Sequence, residues 1–154
     1  MKNLALLVIL LFTISLTAQR TKIKNLYQND NKIGIGTKTP DHLLTVKGTI
    51  HTREVLVDLD GALVPDYVFE KYFTNSSEIN PDYNLLSLSA IETYIKEHHH
   101  LPGIPSANEI KSEGFSLKQM NLLLLEKIEE LTIYTIEQQK EIDLLKEKLT
   151  DKEE

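Results

Sequence analysis

The stretch SLKQMNLLLLEKIEELTIYTIEQQKEIDLLKEKLTDKEE, residues 116–154, contains neither glycine nor proline and is rich in strong helix formers. It therefore predicts one long helix. Alternating steps of four and three residues select ten positions along it, which we call the seam, and seven of them are apolar. The seven are Leu117, Leu124, Ile128, Leu131, Ile142, Leu145 and Leu149. A heptad pattern of this kind indicates a coiled coil in which these seven residues form the oligomer interface. Position a of the heptad is occupied by Asn121, Ile128, Thr135, Ile142 and Leu149, and position d by Leu117, Leu124, Leu131, Gln138 and Leu145.

The number of chains in this coiled coil stays open. Isoleucine at position a with leucine at position d favours two helices, but the polar seam residues Asn121, Thr135 and Gln138 can override that preference. The sequence therefore predicts a homo-oligomer, either a trimer or a dimer. Further apolar residues lie off the seam in the first half, which predicts that this half packs into a small domain while the second half projects. The alternative is a single amphipathic helix that folds back on its own domain.

Three serines, each followed three residues later by Glu or Gln, predict three helix starts through a capping box. The pairs are Ser89 with Glu92, Ser106 with Glu109, and Ser116 with Gln119. The first predicted helix carries one face made of Ile91, Tyr94, Ile95 and His98. The second is short and ends at Gly114, and the third is the long helix.

Short apolar alternations broken by glycine and proline predict several short strands over residues 32–61. The alternating residues are Ile33, Ile35, Leu44, Val46, Ile50, Val55 and Val57. A segment this short buries little surface alone, so we expect it to pair with copies in other chains or to pack on the next part of its own chain.

Residues 62–115 hold most of the aromatic side chains and predict a small aromatic and helical module, irregular in its first part. These aromatics fit a small core, with a ligand-stacking surface as the alternative.

The sequence as a whole predicts an α+β fold with a long C-terminal helix that forms a coiled coil. We divide it into a signal peptide, a flexible leader, a short β-strand fibre-like segment, the aromatic and helical module, and the long helix. Their ranges are 1–19, 20–31, 32–61, 62–115 and 116–154.

The first 19 residues have the layout of a secretory signal peptide. Lys2 precedes an apolar run from Leu4 to Leu16, and small or polar residues follow up to Gln19. A spanning helix needs about 20 apolar residues, so an uncleaved membrane anchor is the less favoured alternative. The sequence thus predicts export to the periplasm, cell surface or medium of a bacterium, with no membrane span after cleavage.

Composition narrows the function further. The 154 residues contain no cysteine, so a lipoprotein anchor is not expected, and an exported chain must hold together by packing or association. The net charge is −6, which disfavours nucleic-acid binding because phosphate contacts need a basic face. No motif for a catalytic nucleophile, phosphate loop or calcium loop is present, so we expect a non-enzymatic protein without cofactors.

Three consecutive histidines, at residues 98–100, suggest a metal site at first sight. They fall at the end of a predicted helix that Pro102 prevents from continuing. Consecutive helical residues point about 100° apart, so three in a row do not converge on one ion. We therefore predict no metal site, and an elbow in HLPGIPSA (residues 100–107) that ends one helix and caps the next.

Several motifs resemble a known family. The GIGTKTP stretch and the following LTVKGTI resemble a repeat of phage tail-fibre-like and bacterial surface fibre proteins. DYVFE, HLPGIPSA and KIEELT closely resemble the C-terminal module of secreted bacterial tail-fibre-domain proteins. The resemblance covers roughly residues 33–142, most of the mature chain, and implies a terminal module for folding and oligomerisation of extracellular chains. The loop KYFTNSSEINP, residues 71–81, departs from that pattern.

A more distant similarity links such modules to the endosialidase-type intramolecular chaperone domain, which can cut itself off with a Ser–Lys pair. The stretch that carries the serine in that domain is absent here, and Ser116 and Lys118 point to different sides of a helix start. We therefore favour a secreted, non-enzymatic fibre-type module for homo-oligomerisation and folding of an extracellular or surface assembly. The alternatives are an adhesin or ligand-binding surface protein and a self-processing chaperone protease.

Overall fold

The computed structural model describes residues 23–59 and 61–151. The chain divides into two units at Val55 and Leu56, and each unit is described by itself below. A small sheet in the first unit and helices in the second confirm the α+β class. The predicted signal peptide lies outside the described residues. No helix in the described part combines the length and the apolar composition needed to cross a bilayer.

The first unit contains a three-stranded sheet in the order β1-β2-β3. The strands are β1 (Leu26–Asn29), β2 (Lys32–Ile35) and β3 (Leu44–Val46). β1 pairs antiparallel with β2, and β2 pairs parallel with β3. The predicted strands around Ile33 and Leu44 are therefore confirmed, and the two residues lie opposite each other in the β2–β3 register.

β1 corrects the prediction that residues 20–31 are a flexible leader, of which the structure describes residues 23–31. Asp30 and Asn31 form a two-residue connection between β1 and β2, and both have positive φ, at 44° and 62°. Asp and Asn tolerate this left-handed backbone better than most residues, and two such residues in a row suit the twist of a tight hairpin. Residues 26–31 therefore belong to a β-hairpin, although their polar composition predicts a loop.

The prediction of strands at Ile50, Val55 and Val57 is wrong, because none of these residues lies in a strand. A strand requires a hydrogen-bonded neighbour, and in the described first unit the pairing of β2 with β3 ends at Val46. Directly after β2, the backbone at Gly36 passes close to the backbone at Lys47. Gly36 has a φ of 75°, and a Cβ there would lie 2.8 Å from the Lys47 carbonyl oxygen, so the approach requires glycine.

The described part of the second unit contains four helices. They are α1 (Tyr67–Thr74), α2 (Leu88–His98), α3 (Ala107–Glu113) and α4 (Leu117–Thr150). The long helix α4 and the short helix α3, with Gly114 as its C-cap, confirm the sequence predictions. The prediction of an irregular first part of the module is wrong, because α1 lies there. Its aromatic and β-branched residues are weak helix formers, and it is held by packing instead.

Serine side chains begin the last three helices, with one correction to the sequence prediction. Ser106 and Glu109 form the full capping box, and Ser116 accepts a hydrogen bond from the Gln119 backbone N–H at 3.3 Å. Ser89, however, lies inside α2. The N-cap of α2 is Ser87, whose side chain accepts a hydrogen bond from the Ala90 backbone N–H at 3.2 Å. α2 therefore begins at Leu88, one residue before the predicted cap.

The core of the second unit lies where α1 packs against α4. Tyr67 and Val68 of α1 are buried together with Ile133 of α4. The partly buried side chains packed around them are Phe69, Tyr72, Tyr83 and Leu85. The Tyr67 and Tyr83 rings lie 5.0 Å apart at 53°, in the range that favours aromatic pairs. The structure therefore places most of these aromatic side chains in a core.

Candidate functional site

The functional candidate is the face of α4 that the core leaves uncovered. The buried residues of α4 are Glu129, Glu130, Ile133 and Tyr134. None of them belongs to the seam. In the heptad numbering Glu129, Glu130 and Ile133 occupy positions b, c and f, on the back of a helix whose a and d positions face a partner, and Tyr134 occupies g, beside the seam. α1 therefore covers the side of α4 away from the seam.

Polar contacts hold α4 at a fixed rotation about its own axis. The Tyr67 hydroxyl donates a hydrogen bond to Glu126, and the Tyr83 hydroxyl donates one to Glu130 at 3.1 Å. Burial, together with these carboxylates, raises the pKa of Tyr67 and of Tyr83 well above the ordinary value, so both phenols remain protonated donors. The Tyr134 hydroxyl donates to the Leu86 carbonyl oxygen at 2.6 Å, which ties α4 to the segment before α2.

Lys127 balances part of the negative charge in this contact. Its ammonium lies 2.7 Å from Glu126 and 2.8 Å from Glu130, and its side chain is 17% exposed. Burial alone lowers the pKa of Lys127, but the bonds to Glu126 and Glu130 outweigh it and raise that pKa. The side of α4 that meets α1 and Tyr83 is therefore a specific set of polar contacts around an apolar centre.

Glu129 is the unusual member of this region. Its side chain is 5% exposed, and its Oε2 atom has no hydrogen-bond partner among the described residues. Burial, and then the negative charges of Asp66 and Glu126, raise the pKa of its carboxyl group. The charged form of Glu129 is thus disfavoured in the folded chain.

The predicted interface residues share one exposed stripe on the opposite side. All seven are between 46% and 64% exposed, and the three polar seam positions are exposed as well. The stripe runs from Leu117 to Leu149, roughly 48 Å at the rise of an α-helix. From Glu141 onward every described residue of α4 is exposed. The structure therefore brings the predicted residues together on one face, while the coiled coil itself stays a prediction.

An apolar groove of about 380 Å³ adjoins this stripe between α2 and α4. Its lining residues are Leu88, Ile91, Leu101, Leu124, Lys127, Ile128, Glu130, Leu131 and Tyr134. Three of them, Leu124, Ile128 and Leu131, also belong to the seam. The sequence prediction missed Leu88 and Leu101, although Leu88 and Ile91 at spacing i, i+3 could have indicated a shared face.

The histidine triplet has a structural role around Tyr94. The His98 ring stacks on Tyr94 with centroids 4.2 Å apart, and the His100 ring meets Tyr94 edge-on at 5.5 Å. His99 ends α2 in the left-handed conformation, with φ of 61°. In the described part of the chain no three His, Asp or Glu side chains are grouped so that they could hold a metal ion.

Ser116, the serine considered for self-processing, is engaged in a structural contact. Its hydroxyl caps α4 by accepting from the Gln119 N–H, and this contact is a normal helix-start bond. The expectation of a non-enzymatic protein stays a prediction.

Comparison with protein-family models, with curated proteins and with solved structures found no match. The resemblance to tail-fibre-domain proteins therefore rests on the motifs alone.

Proposed function

We propose that this chain is an exported, non-enzymatic fibre-type module that associates with copies of itself through the seam on α4. The observation that carries the proposal is the exposure of all seven predicted interface residues on one face, while Ile133 on the other side of the same helix is buried. Single exposed leucines are ordinary on protein surfaces, but seven apolar residues on one helix face, with three polar residues between them, mark an interaction site.

The energetic argument favours a partner helix on this stripe. Burying one leucine or isoleucine side chain contributes about 1.5–3 kcal/mol, and the seam offers seven of them, each roughly half exposed. The back of α4 is occupied by α1, so the free face is the one with the heptad spacing. A coiled coil buries a face with that spacing along its whole length.

The first unit adds a second apolar surface that favours assembly. Ile33 and Ile35 of β2 and Leu44 of β3 remain exposed within a sheet of three short strands. So small a sheet has little stability by itself, and association with other chains would bury these residues. This agrees with a fibre-like role for the β segment.

The proposed location outside the cytoplasm rests on the sequence. The apolar N-terminal stretch after Lys2, the absence of cysteine and the motifs of the tail-fibre resemblance all agree with an exported protein. We place the module in an extracellular or surface assembly, where it would serve to bring chains together and to start their folding.

Two adjacent leucines of α4 allow a matched test. Leu145 lies on the seam and Leu144 does not, and both are exposed. The experiment is sedimentation velocity of the protein purified after export from a bacterial host, compared with Leu145→Asp and Leu144→Asp. We expect Leu145→Asp to shift the protein to the protomer mass, since it places a charge between helices, while Leu144→Asp stays oligomeric. Equal behaviour of the two variants would contradict an interface on the seam.

A further inference from the structure

The groove between α2 and α4 is continuous with the seam, and this continuity suggests what occupies it. Leu124, Ile128 and Leu131 form one wall of the groove and are also seam positions. A helix that packs on the seam therefore covers the mouth of the groove at the same time. Leu88 and Leu101 form the opposite side, and both are exposed.

The groove lies on one particular side of the seam. Lys127 and Tyr134, which line it, occupy g positions of the heptads, whereas the e positions Leu125 and Thr132 lie outside the lining. In a parallel coiled coil the g side of one helix faces the e side of its partner, and in an antiparallel one g faces g. The identity of the residues at e and g therefore distinguishes the two orientations.

We propose that the groove receives the long helix of a second copy of this chain, running parallel and in register, so that Leu88, Ile91 and Leu101 belong to the self-association interface. This inference rests on the proposed function and specifies its geometry. The parallel, in-register arrangement brings the uncharged e residues Thr132 and Gln139 of the second copy opposite the groove residues Lys127 and Tyr134.

The antiparallel arrangement places different residues at the same groove. It brings g residues together, among which Lys127, Glu141 and Lys148 are charged. Charged side chains lose hydration in an apolar groove at a cost in free energy. The apolar character of the groove therefore favours the parallel arrangement.

Charge further along the helix points to the same orientation and register. Glu141 at g and Lys146 at e lie five residues apart, the spacing at which g of one helix meets e of a parallel partner. Their charges are opposite and both residues are exposed. Lys146 also lies 3.5 Å from Asp143 on its own helix, but an exposed pair of this kind is weak. An in-register parallel pair thus sets Glu141 opposite the oppositely charged Lys146, a weak contribution that favours this register over one that opposes like charges.

In this geometry the elbow of HLPGIPSA contributes to the interface. A turn with a hydrogen bond from the Ile104 N–H to the Leu101 carbonyl oxygen, at 3.1 Å, follows α2. It places Leu101 on the groove beside Leu88 and Ile91. The interface is therefore wider than the helix pair, because each protomer contributes α2 and the elbow as well as α4.

The first experiment measures the dissociation constant by sedimentation equilibrium for the exported protein and for Leu88→Gln and Leu101→Gln. Ile95→Gln is the matched control, since Ile95 is an exposed residue of α2 that does not line the groove. We expect each groove variant to raise the dissociation constant by about tenfold or more, as loss of one buried leucine predicts, and the control to leave it unchanged. Circular dichroism of each variant verifies that α2 is intact.

The second experiment uses the absence of cysteine from the chain. In a parallel, in-register pair the two copies of Gln138, at d, face each other, whereas the two copies of Gln139, at e, lie apart. Under mild oxidation we expect Gln138→Cys to give a covalent dimer and Gln139→Cys to give none. The reverse result, or no covalent dimer from either variant of an oligomeric protein, overturns the parallel arrangement.

The outcomes separate this inference from the proposed function. An oligomeric wild type whose dissociation constant is unaffected by Leu88→Gln and Leu101→Gln overturns the groove as part of the interface and leaves self-association in place. A wild type that is monomeric at all concentrations overturns both.

Discussion

Ile128 and Ile133 lie five residues apart on α4 and face opposite environments, since Ile128 is 60% exposed and Ile133 is 0% exposed. The two isoleucines belong to the same helix and have the same size. The difference in their burial therefore shows that one face of α4 is packed within the protomer and the other is exposed. We expect Ile133 to hold the protomer together and Ile128 to hold protomers to each other.

Alanine at these two positions separates the roles. Ile133→Ala leaves a cavity between α1 and α4 and is expected to lower the free energy of unfolding by about 2–5 kcal/mol at every protein concentration. Ile128→Ala is expected to change the free energy of unfolding of the protomer by about 0.5 kcal/mol or less. It should also reduce the additional stability that association gives the protein at higher concentration. Urea denaturation at several protein concentrations measures both effects. A large, concentration-independent loss in Ile128→Ala would contradict its exposed position.

Substitution of Lys127 tests the polar contacts on the side of α4 that meets α1 and Tyr83. Lys127→Met leaves the nearby carboxylates of Glu126 and Glu130 without their cation, and we expect a loss of about 3 kcal/mol, near the lower end for buried pairs. The control is Lys96→Met, because the Lys96 contact with Glu92 at 2.6 Å is exposed and such pairs contribute about 0.5 kcal/mol or less. Thermal or urea unfolding of both variants would show equal losses if Lys127 were an ordinary surface residue.

The buried carboxyl group of Glu129 predicts a pH dependence of stability. Its pKa in the folded chain is raised above the ordinary value of 4.5. The stability associated with the neutral form is therefore fully present below pH 4.5 and is lost as the pH rises through the folded pKa.

Glu129→Gln removes this ionisation while keeping the size of the side chain. We expect a gain of about 1 kcal/mol in the free energy of unfolding at pH 7 and little gain at pH 4. The exposed Glu137 provides the control Glu137→Gln on the same helix. Urea midpoints between pH 4 and pH 8 give the comparison, and a gain that is the same at both ends of this range would refute a role for Glu129 ionisation.

The start of α2 can be verified with two neighbouring serines. Ser87→Ala removes the side chain that caps the Ala90 N–H, and loss of such a cap costs about 1 kcal/mol. Ser89→Ala changes a residue inside the helix, where alanine is the better helix former, and is expected to cost about 0.5 kcal/mol or less. Unfolding free energies in the reverse order would place the cap at Ser89, as the sequence pattern suggests.

Features that depend on local chemistry are those that the sequence predicts correctly. The Ser106–Glu109 capping box, the end of α3 at Gly114 and the length of α4 follow from backbone hydrogen bonding and helix propensity within a few residues. The pattern Ser89–Glu92 misleads because a second serine lies two residues earlier, and Glu92 pairs with Lys96 instead. The rule is sound, but two serines compete for one cap.

Features that depend on contacts distant in the sequence are those that the residue pattern does not predict. α1 owes its stability to packing on Ile133, more than 50 residues away along the chain, and its aromatic residues carry no helical signal of their own. β1 escapes prediction for another reason. The Asp30–Asn31 pair favours a hairpin turn, but the residues around it are mostly polar and lack the apolar alternation that predicts a strand.

The candidate site divides in the same way. The heptad spacing alone selects seven residues that the structure leaves exposed on one face. The groove, in contrast, depends on how α2 and the Leu101 turn lie against α4. No periodicity within α4 contains that information, because the lining residues come from three separate parts of the chain.

The most direct test of self-association through α4 is the molar mass in solution of the unmodified exported protein. Light scattering coupled to size-exclusion chromatography, over a range of micromolar concentrations, gives this value without reference to shape. We expect twice or three times the protomer mass. The protomer mass at every concentration would contradict self-association.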